Sequence, residues 1–65
     1  MKNLYDLGTQ VNIYFPGLYY GQTATVIGIQ MDIERGVLYQ VRYINEYDVP
    51  VIVAVNEIHL TRVGV

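Results

Sequence analysis

The chain has 65 residues, 52% of them hydrophobic and only 15% charged, with a net charge of −2 and no cysteine. This length holds one domain with a thin core and marginal stability, and the missing cysteines exclude both a disulfide framework and a thiolate metal site. Lys2, Arg35, Arg42 and Arg62 are the only basic side chains besides His59, and they are scattered, so the clustered cations of a nucleic-acid surface are not expected.

Residues 1–8 read as a short lead-in ending at Gly8, within a single domain covering 1–65. Met1-Lys2-Asn3-Leu4-Tyr5-Asp6 is followed by no apolar h-region, so it is not read as a signal peptide. No apolar run approaches the ~20 residues of a membrane span. The expectation is a soluble, cytoplasmic protein with no membrane contact.

Thr9–Phe15 alternates, with Val11, Ile13 and Phe15 on one face and Gln10, Asn12 and Tyr14 on the other; this is the pattern of a half-buried strand. Pro16-Gly17 signals a turn, and Leu18-Tyr19-Tyr20-Gly21 makes a short aromatic loop. Gln22–Met31 is the longest strand, with Ala24 and Val26 inward and Thr23 and Thr25 outward. Gly28 inside it predicts a bulge or bend. A parity flip there would return Ile29 and Met31 to the core.

Asp32-Ile33-Glu34-Arg35-Gly36 reads as a hairpin loop. In Val37–Ile44, Gln40 and Arg42 face outward while Val37, Tyr39, Val41 and Tyr43 face the core. Asn45-Glu46-Tyr47-Asp48 is the next turn. Val49–Val55 alternates valines with Pro50, Ile52 and Ala54, so both faces of this strand are apolar. Only one face can meet a core, which makes the other a candidate interface. Pro50 belongs at an edge or strand start, because it has no N–H to donate. Asn56-Glu57-Ile58 predicts one helical turn capped by Asn56. Ile58 and Leu60 are expected to plug the end of the core, and His59–Val63 to form the fifth strand.

Five short strands and no room for a useful helix predict an all-β fold, a small bent sheet closing as a five-stranded barrel. Gly-Thr-Gln-Val (8–11), Gly-Gln-Thr-Ala-Thr-Val (21–26) and Tyr-Gln-Val-Arg-Tyr-Ile (39–44), then an acidic turn, a valine strand and a helical turn, resemble the SH3-like barrel superfamily. The likeness lies in its Tudor-like and KOW-like branches and covers roughly residues 8–63.

The Tudor-like likeness implies an aromatic cage for a methylated cation, at Tyr19 or Tyr20, Tyr43 and Tyr47 with Asn45 and Asp48 beside them. The KOW-like likeness implies nucleic-acid binding, against which the charge stands. The chain is also similar in length and strand plan to the plasmid-borne type II dihydrofolate reductase, an oligomer using a nicotinamide cofactor. That family's Val-Gln-Ile-Tyr motif is replaced here by Val49-Pro50-Val51-Ile52-Val53, without the Gln and Tyr. Oligomerisation carries over; the enzyme does not. Leu4-Tyr5-Asp6 echoes the opening of signalling SH3 domains, but no Trp is present to line their polyproline groove.

Side-chain chemistry points away from catalysis. His59 stands alone and is expected on the surface. Glu46 with Asp48, and Asp32 with Glu34, read as solvated turn residues, and Gly17-x-x-x-Gly21 lacks the Lys of a phosphate loop. No catalytic residue, metal or cofactor is expected. The outward set Tyr14, Tyr19, Tyr20, Ile27, Tyr47 and Ile52 is the expected binding surface, since Tyr supplies rigid contact area. The sequence-level expectation is a non-enzymatic protein-binding module. Its size and acidic pI suit a phage- or plasmid-encoded accessory protein docking on a larger assembly, and the chain is expected to form a homo-oligomer through the Ile52 face.

Overall fold

The computed structural model describes residues 5–14 and 21–64. Strands β1 (Gln10–Ile13), β2 (Thr23–Asp32), β3 (Gly36–Ile44) and β4 (Pro50–Asn56) precede a 3-10 turn, η1 (Glu57–His59), and β5 (Leu60–Arg62). All are antiparallel in one sheet ordered β4-β3-β2-β1-β5, with β4 and β5 at the two edges.

One core draws on every strand. Val11, Ile13, Ala24, Val26, Tyr39, Val41, Tyr43, Val55 and Leu60 form a single buried cluster with Tyr5, and Val37, Val51 and Val53 pack against it. A flat five-stranded sheet would hold β4 and β5 about 19 Å apart. Leu60 and Val55 share one core across that order, so the sheet is strongly bent. The β-branched residues at alternate positions line its concave side.

Part of the bend lies in β2. Val26 opposes Val41 and Gly28 opposes Gln40, so Ile27 is the extra residue of a bulge. A Cβ on Gly28 would come within 2.7 Å of Gln40 Oε1. The Gln40 side chain lies across this site and donates from Nε2 to Gln30 Oε1 at 3.1 Å. Parity flips as expected: Ile29 now opposes Tyr39, and Met31 opposes Val37. Neither residue rejoins the core, which corrects the sequence reading. Ile29 is exposed and Met31 is 77% exposed, because the β2–β3 hairpin runs on beyond the elements that cover its concave face.

Two turns are locked by side chains. Asp32 Oδ1 accepts from the N–H of Glu34 (2.8 Å) and of Arg35 (2.9 Å). These bonds, Arg35 first, hold the Asp32 carboxyl below its ordinary value of 3.8. A depressed carboxylate pKa adds stability that is present above that value and lost as pH falls through the lower folded one. Asp32→Asn is therefore expected to flatten the acid limb of a stability–pH profile measured by urea unfolding from about pH 5 down to about pH 2.

At the other hairpin, Asn45 Oδ1 accepts from Tyr47 N–H (2.9 Å) and Val49 N–H (3.0 Å), and Asp48 N–H donates to Asn45 O at 3.0 Å. Asp48 closes this loop at φ 62°, a left-handed conformation that is strained for a residue with a Cβ. Asp48→Gly is expected to gain about 0.5–1 kcal/mol, a rise of roughly 4 °C in Tm for a domain this small. A fall in Tm would show that the Asp48 side chain stabilises the turn in its own right.

The last connection follows the sequence closely. Asn56 caps η1, its Oδ1 accepting from Ile58 N–H at 3.1 Å while Nδ2 donates to Arg35 O at 2.7 Å. Leu60 is buried as expected, but Ile58 is 79% exposed and plugs nothing. The tight turn rotates it outward.

Candidate protein-binding surface

The convex side of β3 and β4 follows from their register. Ile44 opposes Pro50, Arg42 opposes Ile52, and Gln40 opposes Ala54. Directly opposed side chains share a face at about 5 Å. Pro50, Ile52, Ala54 and Ile44 thus form one exposed apolar patch, with Ile52 59% exposed and with Arg42 and Gln40 along its β2 side. The concave partners Val51, Val53 and Val55 turn toward the core. The doubly apolar pattern of β4 has this cause: one set of residues packs inside and the other faces out.

The expected binding residues are divided by the fold. Ile52 is at the centre of the patch. Ile27, at the bulge, is exposed two strands away, and Tyr47 is exposed at the tip of the β3–β4 turn. Tyr14 follows β1, where its N–H donates to His59 O at 2.6 Å; it is exposed but lies apart from the β4 patch. Tyr19 and Tyr20 lie outside the described residues. Of the proposed cage, Tyr43 is in the core cluster, while Tyr47 and Asp48 are exposed on the turn.

Two features escaped the sequence reading. Tyr5, placed in a lead-in, is a core residue whose hydroxyl donates to Leu60 O at 2.9 Å. Leu38 has the outward parity of Gln40 and Arg42 yet is only 1% exposed. It lies under a hollow of about 240 Å³ shared with Arg35, Ala54, Val55, Ile58 and His59. An apolar residue at a polar-face position was the available signal. His59, expected on the open surface, is half-buried beside this hollow.

Among the described residues no group of His, Cys, Asp or Glu is arranged to hold a metal ion, and no helix is long and apolar enough to cross a membrane. Compared with protein-family models, with curated proteins and with solved structures, the chain finds no match.

Proposed function

We propose that this chain is a small non-enzymatic protein-binding module, its sheet rolled as an SH3-like barrel, that docks through the convex face of β3 and β4. The observation that carries the reading is the patch of Ile44, Pro50, Ile52 and Ala54, apolar and exposed on a chain with few charges to spare. Contiguous apolar surface on so small a domain calls for a partner. The single core reached from both edge strands supports the barrel. The same exposed patch supports a role in docking on a larger assembly.

A photo-crosslinking residue placed at Ile52 tests the docking face in the source cell, with the same residue at Thr61 as control. A discrete adduct at position 52, lost on Ile44→Lys, is expected. Equal, diffuse labelling from both positions would overturn the reading. Titration with a reduced nicotinamide dinucleotide is expected to leave Tm unchanged. A saturable rise would replace the binding module with an oligomeric reductase-like enzyme, since a ligand selective for the folded state stabilises it.

A further inference from the structure

The two edges of the sheet differ. β5 is three residues long and ends in Arg62. Shortness and charge are the usual guards against edge-to-edge pairing. β4 has seven residues, no charged side chain and no bulge against β3. Pro50 is its single guard, and it stands at one end.

The direction of the free backbone groups can be derived. Asn45 N–H donates to Val49 O at 3.0 Å, which marks that opposed pair as hydrogen-bonded. Bonded and non-bonded pairs alternate along an antiparallel ladder. Val51, Val53 and Val55 therefore direct their N–H and C=O toward β3. Ile52, Ala54 and Asn56 direct theirs to the open edge, as does the Pro50 carbonyl. The missing N–H of Pro50 costs the ladder nothing, as an edge proline requires. Among the described residues no strand pairs with this edge.

We infer that the occupant of this edge is a second copy of the same chain, its β4 running antiparallel about a two-fold axis at Val53. The inference rests on the protein-binding reading above and adds to its convex face the adjoining β4 edge, with a partner of its own. A two-fold pairing admits three registers on the outward-directed residues. Centred on Ile52, it makes fewer bonds than the other registers: Pro50 opposes Ala54 without an N–H to donate, and Asn56 falls beyond the second copy's β4. Centred on Ala54, it opposes Ile52 to Asn56, setting an apolar side chain against a polar one. Centred on Val53, it bonds Ile52 to Ala54 of the second copy in both directions. The Asn56 N–H then meets the Pro50 carbonyl, and the Asn56 carbonyl, facing the N–H that Pro50 lacks, is left to the end of the ladder. Every opposed pair at the centre is apolar: Ile52 with Ala54 on the convex face, Val53 with Val53 and Val51 with Val55 on the concave one.

The same register carries the ends together. The ladder ends where Pro50 meets Asn56, and beyond it each β3–β4 turn approaches η1 of the second copy and the hollow beside it. Tyr47 and Ile58, 77% and 79% exposed, are the apolar side chains that this approach brings toward one another, twice by symmetry. Area makes these end contacts necessary. A stable dimer takes about 800 Å² from each partner, roughly a sixth of the 4749 Å² this chain exposes. A seven-residue edge is about 23 Å long and about 10 Å deep, which falls well short alone.

Light scattering across a dilution series, joined to amide exchange by NMR, tests the pairing. The expected mass is twice 7.4 kDa, with the Ile52 and Ala54 amides protected in the dimer and exchanging freely on dilution. Ala54→Pro removes an N–H directed at the second copy and none directed at β3. It is expected to give a folded monomer, and Tyr47→Ala to weaken association at least tenfold. The wild-type exchange result decides the matter even if Ala54→Pro fails to fold. A monomer at all concentrations with both amides unprotected would overturn the inference, as would both amides protected in a monomer. So would a dimer in which they exchange freely. In each case a cross-link from position 52 to a different protein would leave the proposed function standing.

Discussion

Tyr5→Ala is expected to leave the chain largely unfolded at 25 °C. Tyr5 precedes the first strand, yet it ties three parts of the sheet together. Its ring meets Tyr39 edge-on, with centroids 5.3 Å apart and planes at 78°. Its hydroxyl donates to Leu60 O, and its N–H donates to the Tyr39 hydroxyl oxygen at 3.4 Å. The Arg62 guanidinium lies 5.5 Å from the ring centroid. Truncating a buried aromatic to Ala costs about 3–5 kcal/mol. A core of this size supplies about the same in total. Tyr5→Phe keeps the ring and loses the bond to the Leu60 carbonyl, at a cost of about 1–2 kcal/mol, and should remain folded with a lowered urea midpoint. A Tyr5→Ala variant with near-native near-UV circular dichroism and midpoint would mean that the strands hold the core without the lead-in.

The contrast between what was legible and what was not has a physical basis. Alternation identifies the face a strand residue occupies, because successive side chains point to opposite sides of a sheet. Val11, Ile13, Ala24, Val26, Val41 and Val55 all follow it into the core. Local chemistry was equally readable: Gly28 marks the bulge, and Asn56 caps the 3-10 turn because its carbonyl oxygen reaches the Ile58 N–H. Coverage is a different property. Whether a face is buried depends on what arrives from elsewhere in the chain. Met31 has inward parity but nothing over it, and Ile58 is turned out by the tight geometry of η1. Tyr5 carries no periodic signal, since one aromatic before a glycine has no neighbours to alternate with.

The candidate site divides along the same line. The two apolar faces of β4 were visible in the string Val-Pro-Val-Ile-Val-Ala-Val, and the patch centred on Ile52 follows from them. That Tyr14 stands apart from this patch was not visible, because it depends on the strand order: β1 is separated from β4 by β2 and β3. Tyr43 and Tyr47 are four residues apart in sequence, but one belongs to a strand facing the core and the other to the turn beyond it.

Leu38→Ala is expected to lower stability by about 2–3 kcal/mol, the lower part of the range for truncating a buried Leu. Leu38 sits outside the main cluster, on the convex side of β3, opposite Asn56 and Gln30. Its burial depends on the chain returning over it. Asn56 Nδ2 binds the Arg35 carbonyl at the start of β3, and that bond brings η1 against the strand. The cost falls low in the range because the lost volume merges with a hollow already about 240 Å³ in size. Water can enter there, so no sealed void is left. Leu38→Met should cost less than about 1.5 kcal/mol, since volume and apolarity are kept. Urea unfolding at low protein concentration separates these values from any effect of association. A Leu38→Ala cost below about 0.5 kcal/mol, the range of an ordinary surface change, would mean that η1 does not hold its place over β3. The hollow beside it would then have no fixed shape for a partner to recognise.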